Sequence, residues 1–169
     1  MQLPKRVIGS AWLSEAAHAK MLAEAKRAFP KETGGVLIGY WAAPFKEVVL
    51  TTAVGPGPHA IHDTNNFTPD PEYQEAEIAR YYHASGRLHT YLGDWHTHPN
   101  SSPHMSRIDR KTLKNIAGDP DARTPVPIMA ILAGGKPWTL RVWRGDPIWI
   151  GPIMATIRTC NLTVKMFQP

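Results

Sequence analysis

The spacing of apolar residues changes along the chain between a helical and a strand period. Over 14–29 and 71–85 an apolar residue recurs every three or four positions, and Ser14 can cap the first of these helices, which Pro30 follows. Short runs rich in Val, Leu and Ile predict strands. These predicted strands cover residues 34–41, 46–53, 88–95, 126–133, 138–144, 147–150 and 154–166.

A third helix is predicted to begin near Asp109 and to end at the sequence Gly118-Asp119-Pro120. Helices that alternate with strands indicate an α/β domain with a mixed, largely antiparallel sheet flanked by helices. The 169 residues fit one domain, 1–169, and no internal repeat or linker interrupts them.

Two histidines follow the strand predicted over 88–95. Side chains two residues apart on an extended segment point to the same side, so His96 and His98 can direct both imidazoles at one point. Asp109, in the first turn of the next helix, offers a carboxylate as a third ligand. Two imidazoles and a carboxylate leave the fourth position of Zn²⁺ open to water, which is the arrangement of catalytic zinc sites. Closed structural sites usually use thiolates, and this chain has one cysteine.

Each candidate residue also has an ordinary structural interpretation. Histidines at strand ends often form only local hydrogen bonds. Ser106 and Asp109 have the spacing of a capping box, with Ser106 as the N-cap and Asp109 at the third helical position. Glu32, which lies shortly before two glycines, can be a solvated loop acid.

Taken together, these positions resemble the JAMM signature of the MPN⁺ (JAB1/Mov34/PAD-1) zinc metallopeptidases. The matching residues are Glu32 within ETGGVLIG, His96-x-His98-Pro99, Ser106 and Asp109. Five chemically specific positions in a fixed order make the resemblance specific, and it spans most of the chain. It implies a single JAB/MPN domain with a cytidine-deaminase-like, three-layer arrangement.

The resemblance implies a role for each signature residue. His96, His98 and Asp109 would bind Zn²⁺, which lowers the pKa of a coordinated water. Glu32 would be the general base that takes the proton of this water and returns it to the leaving amine. Ser106 would donate a hydrogen bond to the oxyanion that develops on the scissile carbonyl.

Residues 66–70 and 91–95 resemble the small bacterial JAB-domain proteins encoded beside E1-like and E2-like enzymes in antiphage operons of the CBASS type. The implied activity is that of an isopeptidase that cleaves after the C-terminal residue of a ubiquitin-like protein or a CD-NTase, reversing or priming conjugation. The E1-like and E2-like enzymes would be functional partners. The alternatives are a deconjugase of a dedicated bacterial ubiquitin-like protein and a non-catalytic MPN scaffold, although such scaffolds lack the metal ligands.

Two loops flank the candidate site in sequence order, at 55–69 and 118–127. In the resembling family, insertions at such positions hold the modifier and guide its extended tail. Residues around Asn66, Phe67 and 119–127 are therefore predicted to shape specificity, with a plain surface loop as the alternative.

The neighbours of the candidate ligands have more modest predicted roles. Trp95 alternates to the opposite face of the strand from the histidines and is expected in the core. Asp94 shares the ligand face and would either accept a hydrogen bond from a histidine or be solvated at the strand edge. His59 and His62 lie in a loop rich in Pro and Gly, where solvated side chains are expected rather than a second metal site.

The chain carries 19 basic and 14 acidic residues, a formal net charge of +5. The basic residues are scattered, without the Lys/Arg runs or stacked aromatics of a nucleic-acid surface, so a nucleic-acid partner is not expected. A zinc deaminase would need His-x-Glu followed by Pro-Cys-x-x-Cys, which the chain lacks.

Neither a signal-peptide h-region nor a run of about 18 apolar residues is present, so export and a membrane partner are not expected. The single cysteine, Cys160, fits a reducing cytoplasmic compartment. It lies in a predicted strand without any motif around it and is interpreted as a packed thiol.

Overall fold

The computed structural model describes residues 9–169. The helices in this range are α1 (Glu15–Ala28), α2 (Pro71–Ala84) and α3 (Arg107–Gly118). The strands are β1 (Ser10–Ser14), β2 (Gly34–Ala43), β3 (Glu47–Val54), β4 (Ile61–His62), β5 (Phe67–Thr68), β6 (Thr90–Pro99), β7 (Ile128–Gly134), β8 (Trp138–Ile150) and β9 (Ile153–Phe167). The three predicted helices are confirmed, and β1, β4 and β5 were not predicted.

The main sheet has the order β1-β3-β2-β6-β7-β8-β9, and β1 also pairs with β9, so the sheet closes on itself. The pairs β1–β3, β1–β9 and β6–β7 are parallel, and the other four are antiparallel. The predicted mixed sheet is confirmed. Its closure was not predicted, because it depends on a pairing between the two ends of the described chain.

The segments predicted as two strands over 138–144 and 147–150 form the single strand β8. β7 pairs with β8 only as far as Arg144, and beyond that residue β8 pairs with β9 alone. Pro147 is tolerated there because a strand with one neighbour does not need every backbone N–H for pairing.

Helices cover both faces of the sheet, in three layers. Along β7, Ile128, Ala130 and Leu132 face the core that contains α1, while Met129 and Ile131 face the core beneath α3. α2 lies on the same side as α3, against β2. Each fully buried aliphatic side chain of this kind contributes roughly 1.5–3 kcal/mol. The predicted three-layer α/β arrangement is confirmed.

The start of α1 shows how the local sequence positions a helix. Ser14 is the N-cap, and its side chain accepts a hydrogen bond from the Ala17 N–H at 3.0 Å. Ala17, Met21 and Ala25 then bury one side of the helix. Within residues 9–169, no helix has both the length and the apolar character needed to cross a bilayer.

Candidate metal centre

Strand β6 and helix α3 bring three potential ligands together. The Nε2 atoms of His96 and His98 lie 3.0 Å apart on one side of β6. The Oδ1 atom of Asp109, in the first turn of α3, lies 3.1 Å from Nε2 of His96, and Oδ2 lies 3.5 Å from Nε2 of His98. The three candidate ligand atoms all lie within 4.8 Å of one another. The structure therefore places the three predicted ligands in one cluster.

The chemistry of this cluster fits a divalent cation. The Nδ1–H of His98 donates to the Ser102 carbonyl oxygen at 3.0 Å, which directs the Nε2 lone pair into the cluster. Burial alone would raise the pKa of Asp109, but its contacts with the imidazoles of His96 and His98 and with the Ser106 backbone N–H lower it well below its usual range, so this group is a carboxylate. Two imidazole nitrogens and a carboxylate that converge on one point can share a divalent cation, and nitrogen and oxygen donors in this number suit zinc.

Asp109 also closes a capping box at the start of α3. Its backbone N–H donates to Ser106 Oγ at 3.0 Å, and its Oδ2 accepts from the Ser106 backbone N–H at 2.7 Å. The predicted capping box is confirmed. Capping leaves the Ser106 hydroxyl hydrogen free, and this exposed side chain can donate it to a neighbouring group.

Glu32 lies between α1 and β2, outside any regular element, and is half-buried. Burial raises the pKa of its carboxyl group, and the charges of His96 and His98 partly oppose that rise. The neighbouring Thr33 hydrogen-bonds to Thr97, which lies between His96 and His98, so the segment that carries Glu32 runs alongside the ligand-bearing end of β6. A carboxylate with a raised pKa next to potential metal ligands is suited to take up a proton.

The backbone around Glu32 is held from several directions. The Thr33 N–H donates to Thr97 Oγ1 at 3.0 Å, and the Thr97 N–H donates to the Thr33 carbonyl at 2.8 Å. The Thr33 hydroxyl donates to Glu24 Oε1, in α1, at 2.7 Å. The Glu32 N–H donates to the Asp63 carbonyl at 2.8 Å.

The expectation that His62 is a solvated loop residue is wrong. This side chain is half-buried, and its Nδ1 lies 2.9 Å from the Glu32 carbonyl oxygen. His59 conforms to the expectation, since its side chain is 88% exposed. Contacts to backbone atoms have no residue-type pattern in the sequence, so sequence reasoning missed His62. Neither histidine belongs to a second metal-ligating group of three within residues 9–169.

The two residues before His96 differ in their surroundings. Trp95 is 1% exposed, and its Nε1–H donates to the Val54 carbonyl at 2.8 Å, which confirms its place in the core. Asp94 Oδ1 accepts from the Tyr91 hydroxyl at 2.8 Å, and burial raises the pKa of this carboxyl group. The partner of Asp94 is therefore a tyrosine, and not a histidine or bulk solvent as expected.

A groove of about 780 Å³ lies between α2 and the segment after α3. Asp94, two residues before His96, forms part of its wall, so the groove reaches the side of β6 that carries the imidazoles. Its charged lining residues are Glu75, Asp94, Asp119, Asp121 and Arg123. Part of the 118–127 loop thus lies along this groove, while Phe67 of the other flanking loop packs beside Gly34.

Comparison with known proteins agrees with this geometry. A family profile for prokaryotic homologs of the JAB domain matches residues 14–145. A probable metalloprotease of Sinorhizobium fredii is 37% identical over 93% of this chain and 96% of its own length. A solution structure of a Desulfitobacterium hafniense protein shares the fold, with a TM-score of 0.63 and 17% identity over 94% of both chains.

Two further relatives carry the name CD-NTase/cGAS isopeptidase. The one from Escherichia coli is 30% identical over 71% of this chain, and the one from Enterobacter hormaechei is 27% identical over 72%. The match spans 66% of the length of each of these two proteins. The predicted family is confirmed: this chain belongs to the prokaryotic JAB-domain family of metalloproteases.

Proposed function

We propose that this protein is a zinc-dependent isopeptidase that hydrolyses the bond after the C-terminal residue of a ubiquitin-like modifier or a CD-NTase in a bacterial antiviral (CBASS) system. The observation that carries the proposal is the convergence of His96, His98 and Asp109. The segment that carries the half-buried Glu32 is paired with the same end of β6 through Thr33 and Thr97. The relatives named as CD-NTase/cGAS isopeptidases support the substrate class. A non-catalytic scaffold would not need this complete set of donors.

The three ligands would hold the zinc ion through Nε2 of both histidines and the Asp109 carboxylate. When bound, zinc supplies a Lewis acid that polarises the scissile carbonyl and makes an attacking water more acidic. His98 is already oriented for this role, because its Nδ1–H is bound to the Ser102 carbonyl.

Glu32 is proposed to transfer a proton from the attacking water to the leaving amine. Its carboxylate takes a proton from the attacking water as the new C–O bond forms, and then returns it to the amine nitrogen as the C–N bond breaks. The raised pKa of Glu32 helps the first step, because a more basic carboxylate takes the proton of the water more readily.

Ser106 stabilises the charge that develops on the carbonyl oxygen. Its hydroxyl oxygen accepts a hydrogen bond from the Asp109 N–H, and its hydroxyl hydrogen is still free to donate. A positioned donor of this kind acts on charge that exists only during the reaction, which lowers the barrier rather than strengthening substrate binding.

The groove between α2 and the 119–123 segment is proposed to hold the substrate tail that precedes the scissile bond. Its position along the ligand side of β6 supports this assignment, and its volume of about 780 Å³ suits an extended peptide rather than a folded domain. Asn66 and Phe67 on one side and 119–127 on the other would shape specificity. E1-like and E2-like enzymes would be functional partners that form the bond hydrolysed here.

The test uses purified fusions of a reporter to the C-terminus of each candidate substrate, a ubiquitin-like protein and a CD-NTase. Mass spectrometry of the products identifies the cleaved bond, and cleavage of one fusion alone decides between the two substrates. Glu32→Gln should keep its zinc and lose turnover, while His96→Ala should lose both. Full activity of Glu32→Gln would refute the assigned base, and zinc-free protein that takes up no added zinc would refute the enzyme.

A further inference from the structure

The β4–β5 hairpin, residues 61–68, docks on the backbone of Glu32. β4 and β5 pair with each other in a two-stranded sheet separate from the main sheet. His62 Nδ1 lies 2.9 Å from the Glu32 carbonyl oxygen, and the Glu32 N–H donates to the Asp63 carbonyl at 2.8 Å. The hairpin therefore binds both polar groups of the Glu32 backbone.

The His62 ring has a defined orientation. Since a carbonyl oxygen only accepts hydrogen bonds, Nδ1 of His62 carries the hydrogen in this contact. The ring stacks on Phe67, with centroids 6.3 Å apart and planes 15° apart. The Phe67 ring in turn lies beside Gly34, two residues after Glu32. Hydrogen bonding and stacking thus fix the ring on the segment that carries the carboxyl group.

Glu32 needs such support because it lies in neither a helix nor a strand. No ladder of regular hydrogen bonds holds its backbone, so neighbouring segments must. We propose that His62 is a positioning residue for Glu32: it holds the Glu32 backbone so that the carboxyl group stays beside His96, His98 and Asp109. The inference rests on the proposed function of Glu32 as the base.

Two substitutions separate the hydrogen bond from the stacking. His62→Phe keeps an aromatic ring for Phe67 but has no donor, whereas His62→Asn places an amide N–H near the position of Nδ1 and loses the ring. His62→Phe should lower kcat about tenfold with KM and zinc content unchanged, because displaced catalytic groups react more slowly without binding less substrate. His62→Asn should retain most of the wild-type kcat. His59→Phe, on the same loop, should have the wild-type kcat, since the exposed His59 contacts Asp70 and not Glu32.

Amide hydrogen exchange at Glu32, followed by NMR, gives a second measurement that does not require activity. In His62→Phe the Glu32 amide should exchange about tenfold faster than in wild type, because its acceptor Asp63 loosens with the hairpin. His62→Asn should exchange at nearly the wild-type rate. His62→Leu provides a second donor-free variant if His62→Phe does not fold.

The outcomes separate this inference from the proposed function. Wild-type kcat and wild-type Glu32 exchange in His62→Phe overturn the inference, as does an equal loss in His62→Asn and His62→Phe. If the wild-type protein cleaves no fusion, the proposed function fails, and the exchange rates still decide whether His62 holds Glu32.

Discussion

Ser106 and Asp109 form two reciprocal hydrogen bonds at the start of α3. The Ser106 N–H donates to Asp109 Oδ2 at 2.7 Å, and the Asp109 N–H donates to Ser106 Oγ at 3.0 Å. The box fixes the Asp109 side chain so that Oδ1 faces His96 Nε2 at 3.1 Å. A motif that begins a helix therefore also orients a potential metal ligand. It uses the acceptor capacity of the Ser106 hydroxyl and leaves the hydroxyl hydrogen free.

Replacing Ser106 by Gly separates capping from catalysis. Glycine is a tolerated N-cap, so the free energy of unfolding should fall by only about 0.5 kcal/mol. Loss of the hydroxyl donor should lower kcat about 10²-fold or more, the range found when one oxyanion donor is removed. Single-turnover cleavage and urea unfolding measure the two effects. Ser106→Thr is the matched control and should keep both activity and stability, whereas unchanged kcat in Ser106→Gly would leave Ser106 with capping alone.

Removing the metal should stop the reaction without unfolding the protein. The main core joins α1 to strands of the sheet and contains none of His96, His98 or Asp109. After chelation, the far-UV circular dichroism spectrum should keep its folded shape, and the melting temperature should fall only by the loss of ligand stabilisation. Added zinc should restore cleavage. Loss of the folded spectrum on chelation would show that the metal is structural.

Gly34→Ala should disturb the candidate metal centre by crowding the backbone of the neighbouring strand β6. A Cβ at this position would lie 2.6 Å from the Phe67 ring and 2.9 Å from His96 Cα, and would also meet the Trp95 carbonyl. Overpacking against backbone costs about 1–3 kcal/mol, and we expect zinc affinity to fall with stability. Gly55→Ala is the matched control, because no atom lies within 4 Å of its added Cβ. Thermal unfolding and zinc titration measure both changes, and equal behaviour of the two variants would contradict the expectation.

Glu24 should make stability depend on pH. Burial alone would raise the pKa of Glu24, but hydrogen bonds from Arg27 and Thr33 hold it below its usual range. A carboxyl whose pKa is lower in the folded state stabilises the fold above its unfolded pKa and loses this effect as pH falls through the folded value. The free energy of unfolding of the wild type should therefore exceed that of Glu24→Gln by about 1 kcal/mol at pH 7. Urea unfolding should show this difference shrinking as pH falls below about 4, and a constant difference would contradict the assignment.

Much of the fold follows from local patterns in the sequence. The helices were predicted because their apolar periodicity, the Ser14 cap and the Ser106–Asp109 capping box act over a few residues. Closure of the sheet by β1 and β9 was not predicted, because pairing between distant segments leaves no local pattern. The division of β8 into two strands was wrong for a related reason: whether a Pro interrupts a strand depends on how many neighbours that strand has.

The candidate site shows the same division. The sequence by itself determined the donor types and the alternation that sets His96 and His98 on one side of β6. Only the tertiary structure decided that Asp109 meets them, that Asp94 accepts a hydrogen bond from Tyr91, and that His62 contacts the Glu32 carbonyl oxygen. The physical reason is that side-chain direction along one strand is a local property, whereas contacts between strands, helices and loops depend on how the whole chain packs.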